Sequence, residues 1–153
     1  MTLTAAESLK EIWAAIFRRR GGDGTYTRLF DNLDPPQQST LLAKLTLYES
    51  ELPVIGSVKD ADNWLVLTTE RLVWSMRGER EEIVAEAIRD ATIDLGQLQH
   101  CGHSKLGMRQ LHVVTTGVGG YLIELEPGGP LSGTWSVLKN LGTRNRNATS
   151  KGR

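Results

Sequence analysis

At Glu51 the hydrophobic periodicity of the chain changes from helical to strand-like, and that switch limits the possible folds more than any other feature of the sequence. Upstream, large apolar residues recur three and four positions apart. Downstream they alternate with polar ones and β-branched residues become frequent, the pattern of half-buried strands. Strand-like segments fall at 52–58, 64–68, 71–76, 83–85, 91–98, 110–116 and 121–126. Polar or glycine-containing breaks separate them at 59–62, 69–70, 77–80, 102–107 and 117–120. Six or seven short strands joined by tight turns predict an antiparallel meander, closed or nearly so, in a mainly β protein with added helices (α+β).

The helices frame this β segment. Thr4-Ala5-Ala6-Glu7 has the spacing of a capping box, in which hydroxyl and carboxylate satisfy each other's exposed backbone donors, and it predicts a helix start. Leu9, Ile12, Trp13, Ile16 and Phe17 then share one face. Arg18, Arg19 and Arg20 sit in the last turn, where cations complement the dipole, and Gly21-Gly22 ends the helix. A second helix is expected from Asp34-Pro35, with Leu41, Leu42, Leu45 and Tyr48 as its stripe. Between the two, "GGDGTYTRLFDNL" reads as a loop whose Leu29, Phe30 and Leu33 tuck beneath the helices. Trp135, Leu138 and Leu141 predict a short closing helix. The expected division is therefore a helical extension (1–50), a β domain (51–142) and a basic, disordered tail (143–153).

"NWLVLTTERLVWSMRG" (63–78) predicts a β-hairpin turning at 68–71. By residue parity, Trp64, Val66, Leu72, Trp74 and Met76 fall on one face and Leu65, Leu67 and Val73 on the other. Both faces carry bulk, so one fills the interior and the other needs a cover, expected from Leu9, Trp13 and Phe17. In the last strand Tyr121, Ile123 and Leu125 are expected inward, with Glu124 and Glu126 toward water.

A chain of 153 residues supports one hydrophobic core. Its 18 basic and 18 acidic side chains cancel, leaving no global field to draw it onto nucleic acid or an anionic membrane. The balance is uneven: 51–127 is net acidic, with twelve acidic against seven basic residues, while five cations and no carboxylate follow Pro127. The single cysteine, Cys101, leaves no internal disulfide, and the N-terminus lacks a secretory pattern, so a cytoplasmic location is expected.

Few residues offer chemistry. His100, Cys101 and His103 in "HCGH" are metal-ligand types, but a structural zinc site takes four ligands in spaced pairs, and His112 is the sole further histidine. Adjacent positions rarely aim a thiol and an imidazole at each other, so a nucleophile pair is not expected either. "GVGG" (117–120) precedes a strand and lacks the Lys-Ser/Thr of a phosphate loop, so it reads as a hairpin turn. Glu79, Glu81 and Glu82 beside Arg77 and Arg80 read as a solvated hairpin end. Nine aromatic residues give no clustered platform for stacking bases. The expectation is a non-catalytic chain with no cofactor, no metal and no nucleic-acid partner.

From 51 to 142 the chain resembles the pleckstrin-homology-like superfamily, in its bacterial and GRAM-type branch. The resemblance rests on "NWLVLTTERLVW", then "EEIVAEAIRDATIDL", then "KLGMRQLHVVTTGVGGYLIEL", then a terminal helix carrying Trp135 and Leu138. It implies a bent antiparallel barrel of about seven strands capped by the C-terminal helix, and a function in binding lipid headgroups or protein. Phosphoinositide-binding members of that family use basic residues on the first two strands and their loop. Here "VKDADNW" sets Lys59 against Asp60 and Asp62, which would repel a phosphorylated headgroup. A protein partner is therefore the leading expectation, with Trp13, Phe17, Arg18, Arg19 and Arg20 as the candidate contact residues. Two alternatives accompany it: a toxin-immunity-type protein, and peripheral membrane attachment through the amphipathic first helix.

Overall fold

The capping box forms as spaced: the Thr4 hydroxyl accepts from the Glu7 amide at 3.1 Å, and the Glu7 carboxylate accepts from the Thr4 amide at 3.1 Å. The helix it starts, α1, spans Ala5–Arg20 in the computed structural model, which describes residues 2–93, 109–117 and 119–151. There follow β1 (Thr27–Leu29), a 3-10 turn (Phe30–Asn32) and α2 (Pro35–Lys44). Pro35 occupies the first turn of α2, where its missing N–H leaves no bond unmade. The β region then runs β2 (Pro53–Asp60), β3 (Asn63–Thr68), β4 (Arg71–Met76), β5 (Glu79–Val84), β6 (Ile88–Ile93), β7 (Gln110–Thr115) and β8 (Gly120–Glu124). A long helix, α3 (Gly129–Lys151), closes the described chain.

Eight strands are present among the described residues, in two antiparallel sheets ordered β1-β2-β3-β4-β5 and β6-β7-β8. The protein is thus α+β as expected, but the strand count and the segment read as a loop both need correction. Thr27, Arg28 and Leu29 pair with Ser57, Gly56 and Ile55, making β1 an edge strand. Only α1 precedes the sheet, and α2 is inserted between β1 and β2, so the first fifty residues are not a purely helical extension. No backbone ladder joins the two sheets among the described residues.

The hairpin β3–β4 forms as predicted, yet its faces are not those that parity gives. Trp64 pairs with Ser75, Leu65 with Trp74, Val66 with Val73 and Leu67 with Leu72. Even positions therefore meet odd ones, and parity inverts from one strand to the next. Leu65, Leu67, Leu72 and Trp74 enter the main core, whereas Trp64, Val66 and Val73 line the opposite face. That second face is covered by Phe30 and Leu41, from the 3-10 turn and α2, and by Leu33 and Leu45, which cap their C-terminal ends. The expected cover from α1 goes elsewhere: Trp13 and Phe17 join the main core with Val137 and Leu138 of α3.

The β4–β5 break is tighter than expected, since Glu79 and Arg80 already belong to β5. Arg77 and Gly78 form the turn, at φ 55° and 83°. Positive φ at both positions suits the twist of a two-residue hairpin but crowds the arginine Cβ. Arg77→Asn is expected to raise stability by roughly 0.5–1 kcal/mol, visible as a higher midpoint with unchanged slope in urea unfolding.

The helix α3 runs through residues for which the sequence predicted a disordered tail. One flank of it is fastened to β6. Trp135 Nε1 donates to the Ala91 carbonyl at 2.8 Å, Asn145 Nδ2 donates to the Ala85 and Ile88 carbonyls at 2.8 and 2.7 Å, and Arg146 donates to the Arg89 carbonyl. Carbonyls along the β6 edge and its approach are satisfied by side chains, which blocks further strand pairing there. The edge strand β5 is protected differently, by the exposed charges of Glu79, Arg80, Glu81 and Glu82.

Candidate functional site

The two long helices pack antiparallel, Phe17 lying against Gly133 near the start of α3 and Leu9 and Trp13 bordering Leu141 and Ala148 toward its end. Gly133 permits the close approach, because a Cβ there would stand 2.7 Å from the Phe17 ring. Three clefts border α1. One, of about 540 Å³, opens between α1 and the C-terminal half of α3, lined by Leu9, Trp13, Leu141, Arg144, Asn147 and Ala148 among others. A second, of about 800 Å³, follows the other flank past Glu7, Lys10, Glu11, Ala14 and Arg18 to Leu52. The third, of about 480 Å³, lies between the first turn of α1 and the β3–β4 turn at Thr69 and Glu70. Leu3, which lines the second cleft, and Ile12 of α1 are exposed, at 44% and 39%.

Of the candidate contact residues, Trp13 and Phe17 are fully buried, so neither offers a surface to a partner or a headgroup layer. Their burial follows from the stripe that identified them, which is spent on the protein's own core. Arg18, Arg19 and Arg20 are exposed in the last turn of α1, and no carboxylate lies within ion-pair distance of them among the described residues. His100, Cys101 and His103 lie outside the described residues. His112 is exposed on β7, paired across the sheet with Leu122. Among the described residues no group of three or more His, Cys, Asp or Glu could hold a metal ion, and no helix is long and apolar enough to cross a membrane.

The ends of the two sheets meet around a cavity of about 50 Å³ bordered by Lys59, Asn63, Trp64, Trp74, Arg109 and Glu124. It has room for a few waters rather than a substrate. In the β2–β3 turn beside it, Asp60 accepts from Asn63 Nδ2 at 2.8 Å and from the Asp62 amide at 2.9 Å. The Asn63 bond first, then that amide, hold its carboxyl below the ordinary value, so Lys59 stands beside a firmly ionised carboxylate.

Two buried carboxylates were missed by sequence reasoning. Glu126, expected to face water, is 8% exposed and accepts from the amides of Thr25, Tyr26 and Thr27 at 2.6, 2.8 and 2.8 Å. Alternation fails there because β8 ends at Glu124. Glu51 is bound by Arg71 Nε at 2.8 Å and Thr68 Oγ1 at 2.5 Å. The ring of Tyr48 lies 4.6 Å from the Arg71 guanidinium. Both carboxylates have all their contacts within the fold and read as structural.

Comparison of the chain with protein-family models, with curated proteins and with solved structures gives no match. The functional reading therefore rests on its own residues.

Proposed function

We propose that this protein is a non-catalytic, cytoplasmic binding module of pleckstrin-homology-like architecture whose ligand is another protein. The order of elements supports the architecture: from β2 to β8, four antiparallel strands precede three, in sequence order, and a helix follows. In this reading β1, α1 and α2 are additions to that frame.

The observation that carries the protein-binding reading is the concentration of clefts of 480–800 Å³ along α1, together with the exposure of Leu3 and Ile12 on the same N-terminal stretch. Concave, mixed apolar and polar surface of this kind suits a protein segment. Lipid is the weaker reading, because Lys59 is flanked by Asp60 and Asp62 and the large aromatics of α1 face inward.

Ile12→Glu tests it without touching the core. Full-length wild type immobilised in native cell lysate should retain a stoichiometric protein partner, and the variant should retain roughly tenfold less while matching wild type in circular dichroism and melting temperature. Equal retention by both chains, or a co-purifying small molecule with no protein, would refute the reading.

A further inference from the structure

We infer that the cleft between α1 and the C-terminal half of α3 receives an acidic amphipathic helix from a protein partner, an assignment that rests on the protein-binding reading above. The lining of the cleft is apolar at Leu9 of α1, which is half-buried, and at Leu141 and Ala148 of α3; Trp13, which also borders it, is fully buried and adds no contact surface. Ile12, one helical turn from Leu9 on α1 and 39% exposed, is the nearest exposed large apolar side chain of that helix. A helix laying apolar residues at i, i+3, i+4 and i+7 into such a cleft is a recurrent mode of protein recognition.

Charge selects the partner's polar face. Among the described residues Arg144 is the one ionisable side chain lining this cleft. Its Nε donates to Asn140 Oδ1 at 2.9 Å, and no carboxylate reaches it among the described residues. Across its 23 residues α3 carries Lys139, Arg144, Arg146 and Lys151 and no acidic residue. Lys139 is engaged by Asp90 at 3.0 Å, while Arg146 is held by the Arg89 carbonyl and by Thr143. The carboxylates of α1 nearest this end, Glu7 and Glu11, line the cleft on its other flank together with Lys10 and Arg18. Among the described residues the charged lining of the α1–α3 cleft is positive, while Glu7, Glu49 and Glu70 border the adjoining cleft beyond Leu9, so an acidic ligand is favoured toward the Arg144 end.

A second copy of this chain fits poorly as occupant. Neither α2 nor α3 contains an acidic residue, and the carboxylates of α1 are interspersed with Lys10 and Arg18.

The test is a displayed library of helical peptides with leucine fixed at i, i+3, i+4 and i+7 and all other positions random, selected on the folded full-length chain. Recovered peptides should be enriched in Asp and Glu. Their affinity should fall roughly tenfold on Arg144→Glu and again on Ile12→Glu, and should weaken as salt is raised. Both substituted residues are exposed or at a rim, and melting temperature confirms that each variant is folded. Enrichment of basic or neutral peptides, no enrichment, or binding indifferent to both substitutions would overturn the inference. So would self-association abolished by Ile12→Glu, or capture by anionic vesicles in place of peptide. If lysate capture depends on Ile12 while acidic peptides are not selected, the acidic helix fails and the protein-binding reading stands.

Discussion

Arg71→Met is expected to destabilise the protein by about 3–5 kcal/mol, measured as a lower urea midpoint. The arginine side chain is 7% exposed and its partner Glu51 is 0% exposed. Four acceptors converge on it: both Glu51 oxygens, at 2.8 and 3.1 Å, the Thr46 carbonyl at 2.6 Å and Glu82 at 3.1 Å. Removing the guanidinium strands an ionised carboxylate at a fully buried position, and that desolvation, rather than the lost attraction alone, sets the size of the effect. The double variant Glu51→Leu/Arg71→Met should therefore recover a substantial part of the loss. If the double variant were as damaged as the sum of the two single ones, the two side chains would be energetically uncoupled, and the stranded carboxylate would not be the source of the loss.

The same site gives a pH dependence of definite sign. Burial pushes the Glu51 carboxyl up, but bonds from Arg71, Thr68 and the Tyr48 amide, with the Arg71 charge, outweigh it and hold the group below its ordinary value of 4.5. A depressed folded value means that the carboxylate's contribution is fully present above the unfolded value and is lost as pH falls through the lower folded one. Asp90, lowered against its own burial chiefly by Lys139, acts in the same direction. Stability of the wild type should thus decline on acidification below pH about 4.5, and in Glu51→Gln that decline should be shallower while the neutral-pH stability is already reduced.

Periodicity made the α1 cap, the hairpin β3–β4 and the order of the strands legible, because each is decided by residues close in sequence. It failed where long-range geometry decides. The strand β1 is three residues long, and its identity comes from pairing with Ser57, Gly56 and Ile55 rather than from its own pattern. The faces of β3 and β4 depend on register across a turn, which parity along the chain does not encode. The stripe of α1 marked Trp13 and Phe17 as important but not as buried, since an apolar face looks the same whether it meets a core or a partner. The cleft beside it had one visible signal, the absence of any carboxylate after Pro127. That signal gained meaning only when α3 was seen to continue to Lys151 and to border α1.

Glu126 gives the second large effect. Its Oε2 accepts from the Thr25 amide, and its Oε1 accepts from the amides of Tyr26 and Thr27. These donors lead into β1 of the first sheet, while Glu126 lies just beyond β8 of the second, so one carboxylate ties together two sheets that share no ladder among the described residues. Gly24 makes the approach possible, since a Cβ there would collide with the carboxylate and with Pro130. Glu126→Gln retains an acceptor for Tyr26 and Thr27 but sets an amide donor against the Thr25 N–H, a loss of about 1–2 kcal/mol. Glu126→Ala orphans all three donors, one of them on the fully buried Thr27, and should cost about 3 kcal/mol or more. Hydrogen exchange separates this tie from a general loss of packing. The amides of Thr25, Tyr26 and Thr27 should exchange faster in both variants under conditions where those of Leu65, Leu67, Leu72 and Trp74 remain protected. If protection fell uniformly across all seven, Glu126 would be one more core contact; a selective loss makes it the point where the segment leading into β1 is held to the second sheet.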